Sequence, residues 1–305
     1  MNETVIQVKD FRKTYGPFVA VDGISFAVKR GEIFGLLGPN GAGKTSTLES
    51  LEGLRFPDGG SLRIAGVDPA RQTRQLRSLI GVQLQTSGLP ESIRVDEALH
   101  LFCAYHGAPA RDDLIDRVGL AEKRTAQYHQ LSAGQQRRLS LALAVAHKPP
   151  VLFLDEPTAG LDVASRVMLH DLMRELQAGG TTILLATHDM AEAAEMSTRV
   201  AILMRGKIVA LGTPLEITAT GAGLTKISVR TEGSSLTAQG LSFPAVAQTM
   251  TEGEYVIYFS RDIGPTISAL IAHLAAQGDA LIDLRVERPS LEDRFLEITT
   301  KGAAR

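Results

Sequence analysis

Tryptophan is absent from this 305-residue chain, cysteine occurs once, and aromatic residues make up only 5% of it. The single thiol, Cys103, excludes an internal disulfide framework and fits a reducing compartment. Within VDEALHLFCAYHG it reads as a small core side chain rather than a redox group. Basic excess is lacking too: 32 Lys and Arg against 34 Asp and Glu leave a net charge of −2, with a pI near 6.4. That balance gives no support to broad nucleic-acid binding, and nucleic acid is not expected as a partner. No stretch reaches the ~18 consecutive apolar residues that would span a bilayer, and MNETVIQVKDFRKTYG has no signal-peptide core. The expectation is a soluble, intracellular chain that reaches a membrane only through a partner. No internal repeat is present, and the histidines show no metal spacing.

What is present divides in two. Residues 1–220 alternate short apolar runs (EIFGLLG, VLFLDE, TTILLAT, VAILM) with helical stretches, the pattern of an α/β domain on a mainly parallel sheet. The opening VIQVKDF, FVAVDGISFAVKRGE and SLRIAG read instead as antiparallel strands joined by turns. ITATGAGL is small and polar, a linker composition. Residues 221–305 read as a small α+β domain. LTKISVR, EYVIYFS and ALIDLRVE are its strands, and Ile263, Ile267, Leu270, Ile271 and Leu274 share a helical face. Ser290, with Asp293 three residues on, opens a last helix. RQTRQLR, residues 71–77, is basic; the reading adopted is a solvated helix face.

GPNGAGKTS carries the strongest chemical signal. Gly38, Gly43, Lys44 and Thr45 fit G-x-x-x-x-G-K-[ST] between a strand and a helix, the context that makes this motif credible. Such a loop turns consecutive backbone N–H groups inward as an anion nest, so Asn40, Gly41 and Ser46 join the expected nucleotide contacts. Lys44 supplies charge for the β- and γ-phosphates, and Thr45 offers Mg²⁺ a hard oxygen ligand. In VLFLDEP, a buried strand delivers Asp155 and Glu156 at its C-terminal end, where open α/β sheets bind ligands. Asp155 is expected to hold Mg²⁺ through water, and Glu156 to orient or deprotonate an attacking water. The chemistry expected is hydrolysis of a nucleotide.

A second anion-binding end appears at LSAGQQRRLSLALAV, where Ser132 and Gly134 open a helical run. One nucleotide has a single γ-phosphate, yet the chain carries two phosphate-gripping elements. LSAGQ, which includes Gln135, is similar to the LSGGQ signature of the ATP-binding cassette (ABC) ATPases, and the resemblance covers essentially all of residues 1–220. It implies that the signature of one copy caps the ATP held by the P-loop of another, so that an ATP-dependent homodimer explains the spare site. By the same resemblance Tyr15 in KTYGPF stacks on adenine, and Gln85 in IGVQLQ reaches Mg²⁺ and senses the transport partner, with Gln83 a nearby competitor. Asp162 in AGLD touches the opposite subunit, and His188 in LLATHDM contacts the γ-phosphate. The sequence departs from the family at Ala133, where glycine is usual. A helical Ala133 would be harmless; a position needing positive φ would not tolerate it. The harmless case is expected.

Within the family, chromosome-associated members insert long coiled coils between P-loop and signature. Here that interval is short and broken by Pro57, Pro69, Pro90 and Pro109. Translation-associated members carry two cassettes per chain, and this chain has one set of motifs. The resemblance therefore implies a transporter subunit at the cytoplasmic face of the cell membrane, working with a separate integral membrane permease. PSLEDRFLEIT resembles the closing segment of bacterial cassettes serving drug, antibiotic-resistance and polysaccharide exporters. An importer ATPase, a soluble ABC-type regulator and a nucleotide sensor without turnover stay open as alternatives at this point.

Overall fold

The structure, a computed structural model, describes residues 3–83, 88–219, 224–237 and 241–303, with residues 298–303 described as backbone only. The chain forms two compact units, Met1–Pro214 and Leu215–Arg305.

The first unit opens with β1 (Thr4–Tyr15) and β2 (Phe18–Lys29), a hairpin turned by Gly16 at φ 57°. It continues through β3 (Ile33–Leu37), α1 (Lys44–Leu51), β4 (Gly59–Ile64), α2 (Thr73–Leu79) and β5 (Ile80–Gln83). Then follow α3 (Val95–Tyr105), α4 (Asp113–Arg117), α5 (Ala133–Ala144), β6 (Val151–Asp155), α6 (Val163–Ala178), β7 (Thr182–Thr187), α7 (Met190–Met196), β8 (Arg199–Met204) and β9 (Lys207–Gly212).

Two sheets result. The antiparallel sheet runs β2-β1-β4, matching the reading of the opening segment as antiparallel strands joined by turns. The other runs β5-β6-β7-β3-β8-β9 and is parallel except for the β8–β9 pair. Every residue of β3, β6 and β7 is buried, which is why these strands read as unbroken apolar runs rather than alternating ones. One core, with Phe34, Leu36 and Phe153, joins the two sheets around α1. A second, with Leu99, Cys103, Leu139 and Leu143, gathers α3 and α5 beneath the sheet's other face. Cys103 is buried there as a packing residue. Arg71, Arg74 and Arg77 are exposed while Leu76 of α2 points inward.

The second unit contains α8 (Pro214–Ala219) at its start, then β10 (Thr225–Thr231), β11 (Val246–Glu252), β12 (Tyr255–Ser260), α9 (Ile263–Gln277), β13 (Leu281–Glu287) and α10 (Leu291–Ala303). Its antiparallel sheet runs β11-β12-β10-β13. Two details depart from the expectation. β11 was not foreseen, because all of it but Val246 is exposed and so it shows no alternation. Ile271 was placed on the buried face of α9, but it is 43% exposed while Leu270 and Leu274 are buried. Each residue turns a helix by about 100°, so Ile271 lies on the shoulder of the stripe centred on Leu270. Ser290 accepts from the N–H of Asp293 at 3.0 Å and donates to its carboxylate at 2.7 Å, opening α10 as its spacing predicts. Gly221, at the heart of the expected linker, lies outside the described residues.

Candidate nucleotide site

Three neighbouring strands of the mixed sheet, β6, β7 and β3, end at one cleft. β3 runs into the loop Gly38–Gly43 and then α1. Gly43 is at φ 108°, and a Cβ there would lie 2.6 Å from the carbonyl oxygen of Ala20; at Gly38 the clash would be with the Leu203 carbonyl at 2.4 Å. Glycine at these two positions is thus demanded by close backbone approach as well as by conformation. The loop is anchored from outside by Gly206, whose N–H donates to the Ala42 carbonyl at 3.0 Å.

Lys44, 6% exposed, folds back so that Nζ donates to the Gly38 carbonyl at 2.6 Å and lies 3.8 Å from Glu156 Oε1. Burial holds its ammonium below the ordinary lysine pKa, opposed by the charges of Glu156 and Asp155. Asp155 is pushed above the ordinary carboxylate value, first by burial and then by the charge of Glu156, with Lys44 and the Thr45 hydroxyl pulling the other way. Two buried carboxylates beside one ammonium leave an excess of negative charge that a divalent cation would neutralise. The hydroxyl and carboxylate oxygens of Thr45 and Asp155 are the donor types Mg²⁺ prefers. Gln85, the third expected ligand, lies outside the described residues. Gln83, its competitor, is 1% exposed at the end of β5, and its amide has no hydrogen-bond partner among the described residues.

His188 follows β7 and meets Glu156 through Nδ1 and Oε2 at 2.8 Å. A carboxylate only accepts, so Nδ1 is the donor and Nε2 is left for another partner. The segment after Glu156 is pinned by Thr158, whose hydroxyl donates to Glu192 Oε1 at 2.6 Å inside the fold, with His170 Nε2 at 3.2 Å from the same oxygen. Tyr15 closes the mouth of the cleft; its hydroxyl lies 3.3 Å from Ser46 Oγ, and the ammonium of Lys13 sits 5.4 Å from its ring centre.

The cleft thus gathers Tyr15, Asn40, Gly41, Gly43, Lys44, Thr45, Ser46, Asp155, Glu156 and His188, with Gly38 behind the lysine. Ser132, Gly134, Gln135 and Asp162 do not line it. Ser132 and Gln135 cap α5 reciprocally: the Gln135 N–H donates to Ser132 Oγ at 3.2 Å, and the Ser132 N–H to Gln135 Oε1 at 2.9 Å. Gly134 is closely packed: a Cβ there would come 3.2 Å from Leu161 Cδ2, which would have to shift by a few tenths of an ångström to admit it. Ala133 is the first residue of α5 and is absent from the residues with positive φ, so its backbone is the kind alanine tolerates. Asp162 caps α6 by accepting from the Ser165 N–H at 2.8 Å, and this bond holds its carboxyl below the ordinary value.

Two contributors went unread in the sequence. Phe18, 59% exposed and paired with Tyr15 across the first hairpin, lines the cleft as a second aromatic wall; an exposed phenylalanine in a hairpin is the signal that could have flagged it. Arg137 reaches the Glu156 backbone from α5, and nothing local in the sequence announces that contact.

The chain is similar to known proteins in sequence and in fold. The family model described as "ABC transporter" matches residues 21–159. The Nod factor export ATP-binding protein I of Ralstonia nicotianae is 36% identical over 304 residues, covering 97% of this chain and 94% of that protein. The daunorubicin resistance ATP-binding protein DrrA3 of Streptomyces coeruleorubidus is 35% identical, covering 98% of this chain and 97% of its own length. Among solved structures, an ATP-binding subunit of an ABC transporter superposes with a TM-score of 0.66 at 29% identity, over 70% of this chain and 91% of that one. A bacterial ABC transporter cassette solved as a dimer shares the fold at a TM-score of 0.63 and 24% identity, over 68% of this chain and 98% of its own.

Proposed function

The chain belongs to the ABC transporter family as an ATP-hydrolysing, ATP-binding subunit of the exporter type, and from that membership we propose a specific working cycle for its residues. ATP occupies the cleft with its base against Tyr15 and Phe18 and its phosphates on the loop from Gly38 to Ser46. Thr45, Asp155 and Gln85 hold Mg²⁺, which supplies charge neutralisation for the phosphates. Glu156 orients the attacking water, and His188, fixed by its bond to Glu156, presents Nε2 toward the γ-phosphate. Ser132, Gly134 and Gln135 grip the ATP held by a second copy, and Asp162 lies at the contact between copies. Closure of this homodimer moves a separate membrane permease, and hydrolysis reopens it. Coupling is a population shift, effective only because ATP binds the closed pair better than the open one.

The observation that carries this reading is the division of the motifs. Lys44, Asp155, Glu156 and His188 converge in one cleft, while Ser132, Gly134, Gln135 and Asp162 do not line it, as a site shared between two copies requires. No helix among the described residues is long and apolar enough to cross a membrane; the cycle assigns the crossing to a separate permease chain, with this subunit peripheral on its cytoplasmic side. The relatives' names support a drug-like or other amphipathic cargo. The domain at 221–305 is read as an accessory unit that stabilises the pair.

Glu156→Gln tests the cycle. The variant should keep ATP affinity, lose turnover by about 10²-fold or more, and accumulate as an ATP-bound dimer in size-exclusion chromatography. A variant that hydrolyses at the wild-type rate, or stays monomeric at saturating ATP with the permease present, sinks the proposal.

A further inference from the structure

We propose that Arg137 is a positioning residue for hydrolysis, a clamp that ties the backbone of Glu156 to the signature helix α5. The inference rests on the role given to Glu156 above. Glu156 sits at φ 50°, in the left-handed region that side-chain-bearing residues avoid. Something must hold it there, and three bonds do so. Its N–H donates to the Ala186 carbonyl of β7 at 2.9 Å, and its carbonyl accepts from the Ala159 N–H at 3.3 Å. That same carbonyl accepts from Arg137 Nη1 at 2.6 Å, and the Ala159 carbonyl accepts from the same nitrogen at 2.7 Å. One cationic nitrogen therefore grips both ends of the four-residue turn that aims the Glu156 carboxylate, with short charge-assisted bonds.

The clamp reaches across 19 residues of sequence to Glu156 and 22 to Ala159. Its neighbour Arg138 points elsewhere, donating to the Val118 and Gly119 carbonyls at 3.0 and 3.2 Å. The adjacent arginines thus divide two tasks: Arg138 holds the helical region together, and Arg137 serves the site. Arg137 stands on the helix whose first turn is the signature. Gly134 of that turn packs so closely on Leu161 that an added methyl would meet it at 3.2 Å.

The test uses steady-state ATP hydrolysis by the purified full-length chain, comparing R137M, R137K and E156Q with the wild type. R137M keeps an unbranched apolar stem and removes the donors. Its kcat should fall about tenfold, and at least fivefold, with KM for ATP within about twofold. R137K should recover most of the loss, because its ammonium, one bond shorter in reach than Nη1, keeps a charged donor facing both carbonyls. A fall in kcat of less than fivefold in R137M, a KM that rises in step with the loss, or an R137K no better than R137M each overturns the clamp. If R137M does not fold, R137Q is read by the same criteria. E156Q separates the two layers: wild-type turnover in E156Q sinks the role of Glu156 itself, whereas an inactive E156Q beside a fully active R137M removes only the clamp.

Discussion

Two helices of the first unit begin at the phosphate-loop motif and at the signature, and they treat their own backbone in opposite ways. The first turn of any helix leaves N–H groups without an internal partner. At α1 the preceding residue is Gly43, in the left-handed region, and no side chain caps the helix. The proposed cycle gives this helix start and the buried Lys44 to the nucleotide's phosphates. At α5, Ser132 and Gln135 cap each other reciprocally. That helix end is stable alone, yet the Ser132 hydroxyl, which accepts from Gln135, still has a proton to donate. The difference teaches which end keeps a nucleotide and which only visits one. A resident ligand can replace capping, whereas a contact made only in the closed pair must leave the open chain intact.

Lys44→Ala is the largest test of that contrast. Charge-assisted hydrogen bonds contribute about 1.5–3 kcal/mol, so ATP affinity should fall about 10- to 100-fold, measured by titration with a fluorescent ATP analogue. Unchanged affinity would remove α1 from the role of resident site.

The far end of α1 gives the next effect. Glu52, its C-terminal cap, is pushed up to about 8, first by burial and then by the charges of Asp155 and Glu49. Its folded pKa lies above the ordinary 4.5, so its stabilising contribution is fully present below that value and is lost as pH rises toward about 8. Through this window the chain should lose about 1.4 kcal/mol of stability per pH unit from this group. Glu52→Gln should flatten the slope in urea unfolding; an unaltered slope would mean that the carboxyl is not held protonated by the fold.

Ser132→Ala should do least. Loss of the cap costs about 1 kcal/mol of stability, while ATP binding by the isolated chain should stay within about twofold of wild type. The ATP-dependent dimer should weaken, read by sedimentation. An ATP-affinity loss in the isolated chain as large as that of Lys44→Ala would erase the distinction between the two helix ends.

Legibility followed the range of the interactions. The P-loop spans one turn between strand and helix, so Gly38, Gly43, Lys44 and Thr45 announce themselves by spacing. Likewise the caps at Ser132 and Ser290 close within three residues. The buried strands showed as apolar runs because both faces of the sheet are covered. β11 was silent because an exposed edge strand buries almost nothing and carries no pattern. The position of Ile271 on α9 was misjudged because spacing defines a face but not how wide a strip of it the sheet covers.

By itself, then, the sequence determined the phosphate loop, the strand that delivers Asp155 and Glu156, the capped signature helix, and a second small α+β unit. Only the tertiary structure decided how these act on one another. The 2.8 Å bond from His188 to Glu156 joins residues 32 apart, Phe18 enters the cleft through strand pairing, and Arg137 stabilises a left-handed Glu156 from another helix. Short-range chemistry leaves its mark in residue order, because turn and cap geometry depend on immediate neighbours. Distances across the sheet depend on strand order and register, which the packing of the whole core selects.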